Sequence, residues 1–447
     1  MFFIRIVIVC LGAVGIGMAP GHVCAQPSLD LTVKDTVELA LENNRALKIS
    51  QSQMDARKAG IGEVRSGFFP QMKGNAAYTR LDVAPYISLG EKSPFPMPPG
   101  TPSKITIGDD DLYDLGVSVE QPLFTGFALT KSYEMAKSSW EASKSDHETA
   151  ENDLVYMTKA AYFSLLKARE TVVIAKQSVE LMESHVTDLK NMVEVGMLAE
   201  NDLLKAQVQL SETKLMLISS NNAARLIKRR FCTILGIPLT TDIELKTPLE
   251  YIDRDYDLDT VAEQAIGNRP EIRSMSNMIK MADNNVSVAR SQWYPQLMAV
   301  YNWSYKRPNR EYEQEFYSQW TAGLVAQVNI FDWGGIHYRV SQAKLHKRQA
   351  EESVRQLADA VVLEVNQAYL TLEEARERIR VSEVNVHQAE ENYRVTHKKF
   401  SQGLVTNTEL LDANTALTRA RIAKTNSLSD YMTALALLEK TIGGSAR

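Results

Sequence analysis

Small and apolar side chains recur along Phe127–Val195 at Leu154, Thr158, Ala161, Leu165, Ala168, Val172, Ala175, Val179, Met182, Val186, Leu189 and Val193, in alternating steps of four and three. Ile336–Gln402 repeats the pattern at Val361, Val365, Ala368, Leu372, Ala375, Ile379, Ser382, Val386, Ala389, Tyr393, Thr396 and Phe400. A 3.5-residue period is the seam of a left-handed coiled coil, and neither stretch contains a glycine or a proline. A helix of about seventy residues is roughly 105 Å long, several times the mean in compact domains. The chain is built to span a distance.

After Pro70 and Pro295 the period falls towards two. Leu297, Ala299, Tyr301, Trp303 and Tyr305 share one face of a strand, with Asn302 and Ser304 on the other. A partner sets Trp320, Ala322, Leu324, Ala326, Val328 and Ile330 against Thr321, Gln327 and Asn329. In the first half Leu115, Val117 and Val119 alternate with Ser118 and Glu120, and Gly74–Arg80 forms a weaker strand opposite. The expected strands are 72–80, 114–124, 297–305 and 320–331. Their length and their oily and wet faces suit tilted transmembrane strands, although a half-buried soluble sheet alternates in the same way. Trp293, Tyr294, Trp303, Tyr305, Tyr317 and Trp320 gather at strand ends, as a membrane-interface girdle would place them. Four strands do not close a barrel, and an open edge in lipid leaves backbone groups unpaired, so a membrane sheet of this size has to be shared.

The two halves copy one another. Phe124 corresponds to Phe331, Tyr162 to Tyr369, Gly196 to Gly403 and Leu235-Gly236 to Ile442-Gly443, at a constant offset of 207. Each half opens with a helical segment, Thr32–Ser66 and Leu258–Ser291, in which Thr36-Val37 and Asn44-Arg45 pair with Thr260-Val261 and Asn268-Arg269. These segments stop at Phe68-Phe69-Pro70-Gln71 and Trp293-Tyr294-Pro295-Gln296, because proline lacks an N–H and bars helical angles before it. Beyond Gly196 and Gly403, return helices of up to 39 residues, Met197–Leu235 and Leu404–Ile442, run back along the long ones. Return and opening helices laid end to end would flank each long helix. The expected organisation is a first repeat over 26–238, a linker over 239–257 lying as a belt, and a second repeat over 258–447. The turn Leu81–Asp111 carries 18 extra residues and Pro94, Pro96, Pro98, Pro99 and Pro102, a long irregular loop of the outer-surface kind.

Composition narrows the class. The 447 residues include 50 Lys+Arg and 55 Asp+Glu without a broad basic face, which argues against a nucleic-acid partner. The one dense basic run, Lys228-Arg229-Arg230, complements the negative end of the helix closing at Leu235. Residues 1–25 read as a signal peptide, with Arg5, an apolar run Ile6–Met18, and Val23-Cys24-Ala25 before Gln26; an uncleaved anchor is the alternative. Cys10 and Cys24 fall in that leader, leaving Cys232 as a small apolar residue with no intrachain partner. None of the seven histidines has zincin spacing, and neither a nucleophile elbow nor a phosphate loop occurs. No catalytic residue, cofactor or metal is expected.

The duplicated order of helix, hairpin, long helix and return helix, with the tip motifs Gly196-Met197-Leu198-Ala199-Glu200-Asn201-Asp202-Leu203-Leu204 and Gly403-Leu404-Val405-Thr406-Asn407-Thr408-Glu409-Leu410-Leu411, resembles the TolC-like outer membrane efflux protein family over nearly the whole mature chain. The resemblance implies a mainly α fold with a membrane β part: a homotrimer joining a twelve-stranded β-barrel to a twelve-helix coiled-coil α-barrel about 100 Å deep. It also implies an outer-membrane location, docking of the tips near Gly196, Met197, Leu198, Gly403 and Leu404 to a periplasmic adaptor, and through it an inner-membrane pump of RND, ABC or MFS type. Glu409 and Asp412 match acidic rings at family entrances, although Glu409 also completes a capping box with Thr406. Asp202 matches the acid of the family's interhelix latch, whose arginine and tyrosine fall on Val405 and Phe400. That ion pair is absent, so closure is expected from apolar packing of Phe400, Leu404 and Val405, or from a polar set including Lys398 or Lys399. The runner-up is a periplasmic coiled-coil adaptor or scaffold, which would carry one hairpin and no aromatic-flanked strands.

Overall fold

A computed structural model describes residues 29–88, 104–309 and 313–444. The leader and the loop prolines Pro94 to Pro102 lie outside the described residues. In chain order the elements are β1 (Leu29–Leu31), α1 (Val33–Asn43), α2 (Arg45–Ser66), β2 (Gln71–Arg80), β3 (Tyr86–Ser88), β4 (Lys104–Thr106), β5 (Asp111–Phe124), α3 (Ala128–Glu194), α4 (Glu200–Leu235), β6 (Ile243–Leu245), α5 (Leu258–Asn268), α6 (Pro270–Ser291), β7 (Gln296–Arg307), β8 (Tyr317–Gln327), α7 (Gly335–Ser401) and α8 (Asn407–Thr441). Helices α3 and α7 each hold 67 residues, about 100 Å of rise. None of the seam positions named above is exposed in either helix. The 3.5-residue stripe is the packed one.

Each opening segment is two helices where one was expected. The backbone becomes extended at Asn44 (ψ 128) and Arg269 (ψ 127). Asn44 caps α2 by accepting from Ala46 N and Leu47 N at 2.8 and 3.2 Å, while Pro270 at the first position of α6 excludes helical angles at Arg269. Aligned on these breaks, the halves run at an offset of 225 through Pro70 and Pro295, so Thr36 answers Val261 and Asn44 answers Arg269. The dipeptide pairing read from the sequence is one residue out. Asn44 Nδ2 also donates to Ile234 O at 2.8 Å, joining α1–α2 end to end with α4 along α3. Gly236 (φ 69) makes that join possible, since a Cβ on it would lie 2.6 Å from Asn43 O.

Residues 239–257 wrap the middle of the helices. β6 pairs in parallel with β1, and the fully buried Tyr162 of α3 donates to Leu31 O (3.1 Å) and accepts from Thr247 N (2.9 Å). Arg376 of α7 donates to Asp253 Oδ1 (3.0 Å) and Arg254 O (2.6 Å), and Tyr431 of α8 donates to Ile252 O. The main apolar core lies at this level, around Tyr162, Phe163, Phe231, Leu235 and Tyr431. Cys232 is buried in it, and that burial pushes its thiol pKa up. Lys228 pairs with Asp242 at 2.8 Å instead of serving the end of α4.

At one end of the helices the antiparallel sheet has the order β2-β5-β7-β8. Its register sets Met72 opposite Val119, Val119 opposite Tyr301 and Tyr301 opposite Ala322, and likewise Ala76, Leu115, Tyr305 and Ser318 in a row. Directly paired residues share a face, so the apolar alternations of four strands add up to one surface. The opposite face carries Lys73, Asn75, Asp114, Ser118, Glu120, Asn302, Ser304, Lys306, Gln319 and Thr321. Its charges are matched across strands, with Lys73–Glu120 at 3.0 Å and Lys306–Asp114 at 2.9 Å. The strand expected over 320–331 instead runs from Tyr317 to Gln327. Its partner β7 begins at Gln296, opposite Gln327, and β8 is an edge strand that no other strand among the described residues pairs on its far side. The long turn is not wholly irregular, since β3 and β4 pair within it.

Candidate functional site

The end of the helices opposite the sheet is built from two hairpin tips. α3 and α7 both close with a left-handed glycine, Gly196 (φ 74) and Gly403 (φ 71). Met197 N reaches back to Met192 O at 2.8 Å and Leu404 N to Lys399 O at 3.0 Å, the six-residue closure of a Schellman end. No atom lies within 4 Å of a Cβ placed on either glycine, so the positive φ, and not crowding, accounts for them. Met197 and Leu404 are exposed beside them, while Leu198 and Val405 are half-buried.

The return helices start differently. Thr406 caps α8 by accepting from Glu409 N at 3.3 Å, and its hydroxyl donates to Glu409 Oε1 at 3.2 Å. The expected capping box is therefore half formed: Thr406 makes the cap, and the Glu409 carboxylate accepts from its hydroxyl alone. Asp412, one turn on, is exposed.

Asp202 does not meet Phe400 or Val405. Its carboxylate lies 3.5 Å from Lys205 on its own helix, and its main-chain carbonyl accepts from Asn407 Nδ2 at 2.9 Å. Asn407, 3 % exposed, also meets His185 Nε2 through Oδ1 at 2.8 Å. One side chain of α8 thus ties α3 to α4 at the tip. Phe400 contributes through His185, whose ring it meets edge-on at 5.4 Å, whereas Lys398, Lys399 and Leu404 are exposed. Desolvation lowers the His185 pKa, with His397 pushing the same way and Asn407 and Asp188 opposing. Further along the α3–α8 seam Asn414 meets Met182 Sδ at 2.9 Å and Thr418 meets Ser178 at 3.3 Å. The seam between α7 and α8 has an apolar centre instead, through Val386, Ala389, Leu417 and Ala420, flanked by the ion pairs Arg421–Glu390 (2.9 Å) and Lys424–Glu383 (3.4 Å). Sequence reading missed Asn407 and His185; the available signal was an asparagine at the first helical position after a threonine that already supplies the cap.

At the sheet end Trp303 stacks on Tyr305 (6.3 Å, 2°), Tyr305 on Phe316 (4.9 Å, 13°) and Tyr301 on Trp320 (6.3 Å, 24°), all on the apolar face. Tyr317 belongs to the other face, opposite Lys306, and Phe316 takes the place expected for it. Trp293 and Tyr294 are exposed at the helix end of the sheet. Strands of 10 to 14 residues tilted by about 45° cross about 25 Å, the height of a membrane barrel's apolar band. No helix among the described residues is long and apolar enough to cross a membrane.

The model of the outer membrane efflux protein family matches residues 36–236 and 261–444. The chain belongs to that family. It is 21 % identical over 426 residues to the probable efflux pump outer membrane protein TtgC of Pseudomonas putida, covering 93 % of this chain and 83 % of that one. It is 21 % identical to the outer membrane protein TolC of Vibrio cholerae, covering 90 % and 89 %. The solved structure of the CmeC outer membrane channel of Campylobacter jejuni superposes with a TM-score of 0.77 at 20 % identity, over 92 % of this chain and 85 % of that one. This family of channel proteins is not one of enzymes, and the adaptor reading finds no support in it.

Proposed function

We propose that this efflux-family chain forms a passive exit duct across the outer membrane and periplasm, as a homotrimer in which three sheets close a twelve-stranded barrel over a twelve-helix tunnel. The observation that carries this reading is the sheet: one face oily, the other wet with paired charges, and two edges, β2 and β8, that no strand among the described residues pairs. An unpaired edge is untenable in lipid, and pairing β8 of one copy with β2 of the next removes both. Apolar residues left exposed on α4 (Leu204, Val208, Leu215) and α7 (Leu363, Leu370, Val381) suit the same head-to-tail contact.

In this reading the chain comprises the repeats 26–238 and 258–447 with the belt 239–257 between them, and residues 1–25 are removed on export. The tips at Gly196–Leu198 and Gly403–Leu404 receive a periplasmic adaptor, which couples the duct to an inner-membrane pump of RND, ABC or MFS type. Asp412 and Glu409, repeated by threefold symmetry, ring the entrance and favour cations there. Asn407 replaces the family's ion pair as the tie between hairpins, and no energy-consuming chemistry resides in the chain. Purified protein reconstituted in a planar bilayer should conduct, and should run as an oligomer that dissociates on heating. A monomer soluble without detergent and electrically silent would refute the reading.

A further inference from the structure

The two halves repeat their strand register as well as their sequence. At an offset of 225 β2 corresponds to β7, as Pro70 does to Pro295, and at 207 β5 corresponds to β8, as Phe124 does to Phe331. Carried through these offsets, Gln71 opposite Glu120 becomes Gln296 opposite Gln327, Met72 opposite Val119 becomes Leu297 opposite Ala326, and Arg80 opposite Asp111 becomes Tyr305 opposite Ser318. Each of these is a pair that the second hairpin makes. The duplication therefore preserves strand pairing residue for residue.

The seam between the halves, β5 on β7, has no counterpart within one chain. Its equivalent joins β8 to a β2, and these two are the opposite edges of one sheet, so that β2 comes from another copy. The strand ends mark the missing neighbour. β5 runs past Glu120, where β2 begins at Gln71, because β7 holds Gln121, Pro122 and Phe124 opposite Ala299, Met298 and Leu297. β8 stops at Gln327, opposite the start of β7. Yet Val328, Asn329 and Ile330 continue its alternation, and Val328 is 48 %, Ile330 94 % and Phe331 72 % exposed.

We propose that β2 of the next copy takes at β8 the place that β7 takes at β5, in the same register: Leu324 opposite Tyr78, Ala326 opposite Ala76, Gln327 opposite Asn75, Val328 opposite Gly74 and Asn329 opposite Lys73. The inference rests on the reading that copies of this chain close a barrel, and it adds which residues meet and that β8 gains residues 328–331 only in the assembly. The faces agree. Leu324, Ala326 and Val328 meet Tyr78, Ala76 and Gly74 on the apolar side, while Gln327 and Asn329 meet Asn75 and Lys73 on the wet one. A slip of one residue would set oily against wet along the whole edge. The extension also gives Lys73 and Gly74 backbone partners that a β8 ending at Gln327 would not reach, and lipid offers none.

The test places cysteine pairs in the full chain, in a Cys232→Ala background, and oxidises the detergent-purified protein. Directly opposed residues lie about 4.5–5.5 Å apart at Cα, within disulfide reach, whereas residues displaced by two positions lie about 7–8 Å apart and beyond it. Ala326→Cys with Ala76→Cys, Gln327→Cys with Asn75→Cys, and Val328→Cys with Gly74→Cys should each shift the boiled, non-reduced chain from the monomer position to that of a linked trimer, and reduction should restore the monomer. Ala326→Cys combined with Gly74→Cys or with Tyr78→Cys should stay monomeric after boiling, as should each cysteine alone. Oligomers in which the opposed pairs stay silent, or in which only a displaced pair links, overturn the register and leave the barrel standing. Linking at Ala326 and Ala76 without linking at Val328 and Gly74 overturns the extension of β8. Chains that no pair links and that run as monomers without boiling overturn the barrel as well. The three opposed pairs are independent, so failure of one variant to assemble leaves two to decide.

Discussion

Replacing Asn407 by alanine should loosen the tip without unfolding the protein. Its amide makes two contacts across helices, to Asp202 O at 2.9 Å and to His185 Nε2 at 2.8 Å, and it is 3 % exposed. A buried neutral hydrogen bond contributes about 1 kcal/mol net, with somewhat more lost when a partner stays buried and unpaired. The tie therefore favours the joined hairpins by about 2 kcal/mol per chain, and its loss should raise the ratio of parted to joined tips about thirtyfold. Alanine at this position leaves the cap intact, since Thr406 supplies it. Planar-bilayer recordings should show Asn407→Ala channels spending much more time in the wider conductance state. Asn407→Asp keeps an acceptor for His185 but sets a carboxylate against Asp202 O, so it should behave more like alanine than like asparagine. If Asn407→Ala assembles normally and its conductance and dwell times match wild type, the two hydrogen bonds do not hold the tip and the reasoning fails.

Acidification should act on the same tie: burial holds the joined-state pKa of His185 below the ordinary value, whereas parted tips would return it to about 6.5. The parted state then takes up a proton first, so the stability of the joined tip is present above about pH 6.5 and is lost as pH falls towards the lowered value; the Asn407 hydrogen bond and Asp188 oppose this effect and His397 adds to it, and recordings at pH 7.5 and 5.5 on wild type and His185→Gln should show an acid-induced opening that the variant lacks. Neutralising the entrance with Asp412→Asn and Glu409→Gln should reduce cation preference, measured as reversal potential across a salt gradient, and unchanged selectivity would remove both residues from the entrance. Tyr162→Phe deletes the hydroxyl that bonds Leu31 O and Thr247 N, at about 1–3 kcal/mol, so thermal denaturation in detergent should shift downward while conductance stays unchanged.

Periodicity made the long parts of this fold legible, because a coiled-coil seam or an alternating strand is a local property summed over many residues. The seams of α3 and α7 and the faces of β5, β7 and β8 emerge as read for that reason. Errors cluster where one residue decides. Asn268-Arg269 looks like a copy of Asn44-Arg45, yet each break is set by its own cause, a side-chain cap in one half and Pro270 in the other, and the two causes sit one position apart. Its place at a strand end makes Tyr317 look like a girdle residue, but period two puts it opposite Lys306, with Phe316 and Trp320 on the apolar side. The tip was least legible. His185 and Asn407 are 222 positions apart, and whether an asparagine on α8 is buried depends on how α8 is rotated against α3, which no pattern within α8 specifies. Near the tip that rotation gives α8 uncharged polar contacts towards α3 and, towards α7, an apolar cluster flanked by ion pairs. The two seams differ in what parting them costs: the contacts at Asn407, Asn414 and Thr418 on the α3 side can be exchanged for water, as can the Arg421–Glu390 and Lys424–Glu383 pairs on the α7 side, but parting the α7 side also exposes the apolar cluster of Ala389, Leu417 and Ala420, which water does not compensate. Opening should therefore run between α3 and α8, with α7 and α8 moving as one hairpin, and Asn407 is the outermost contact on that line.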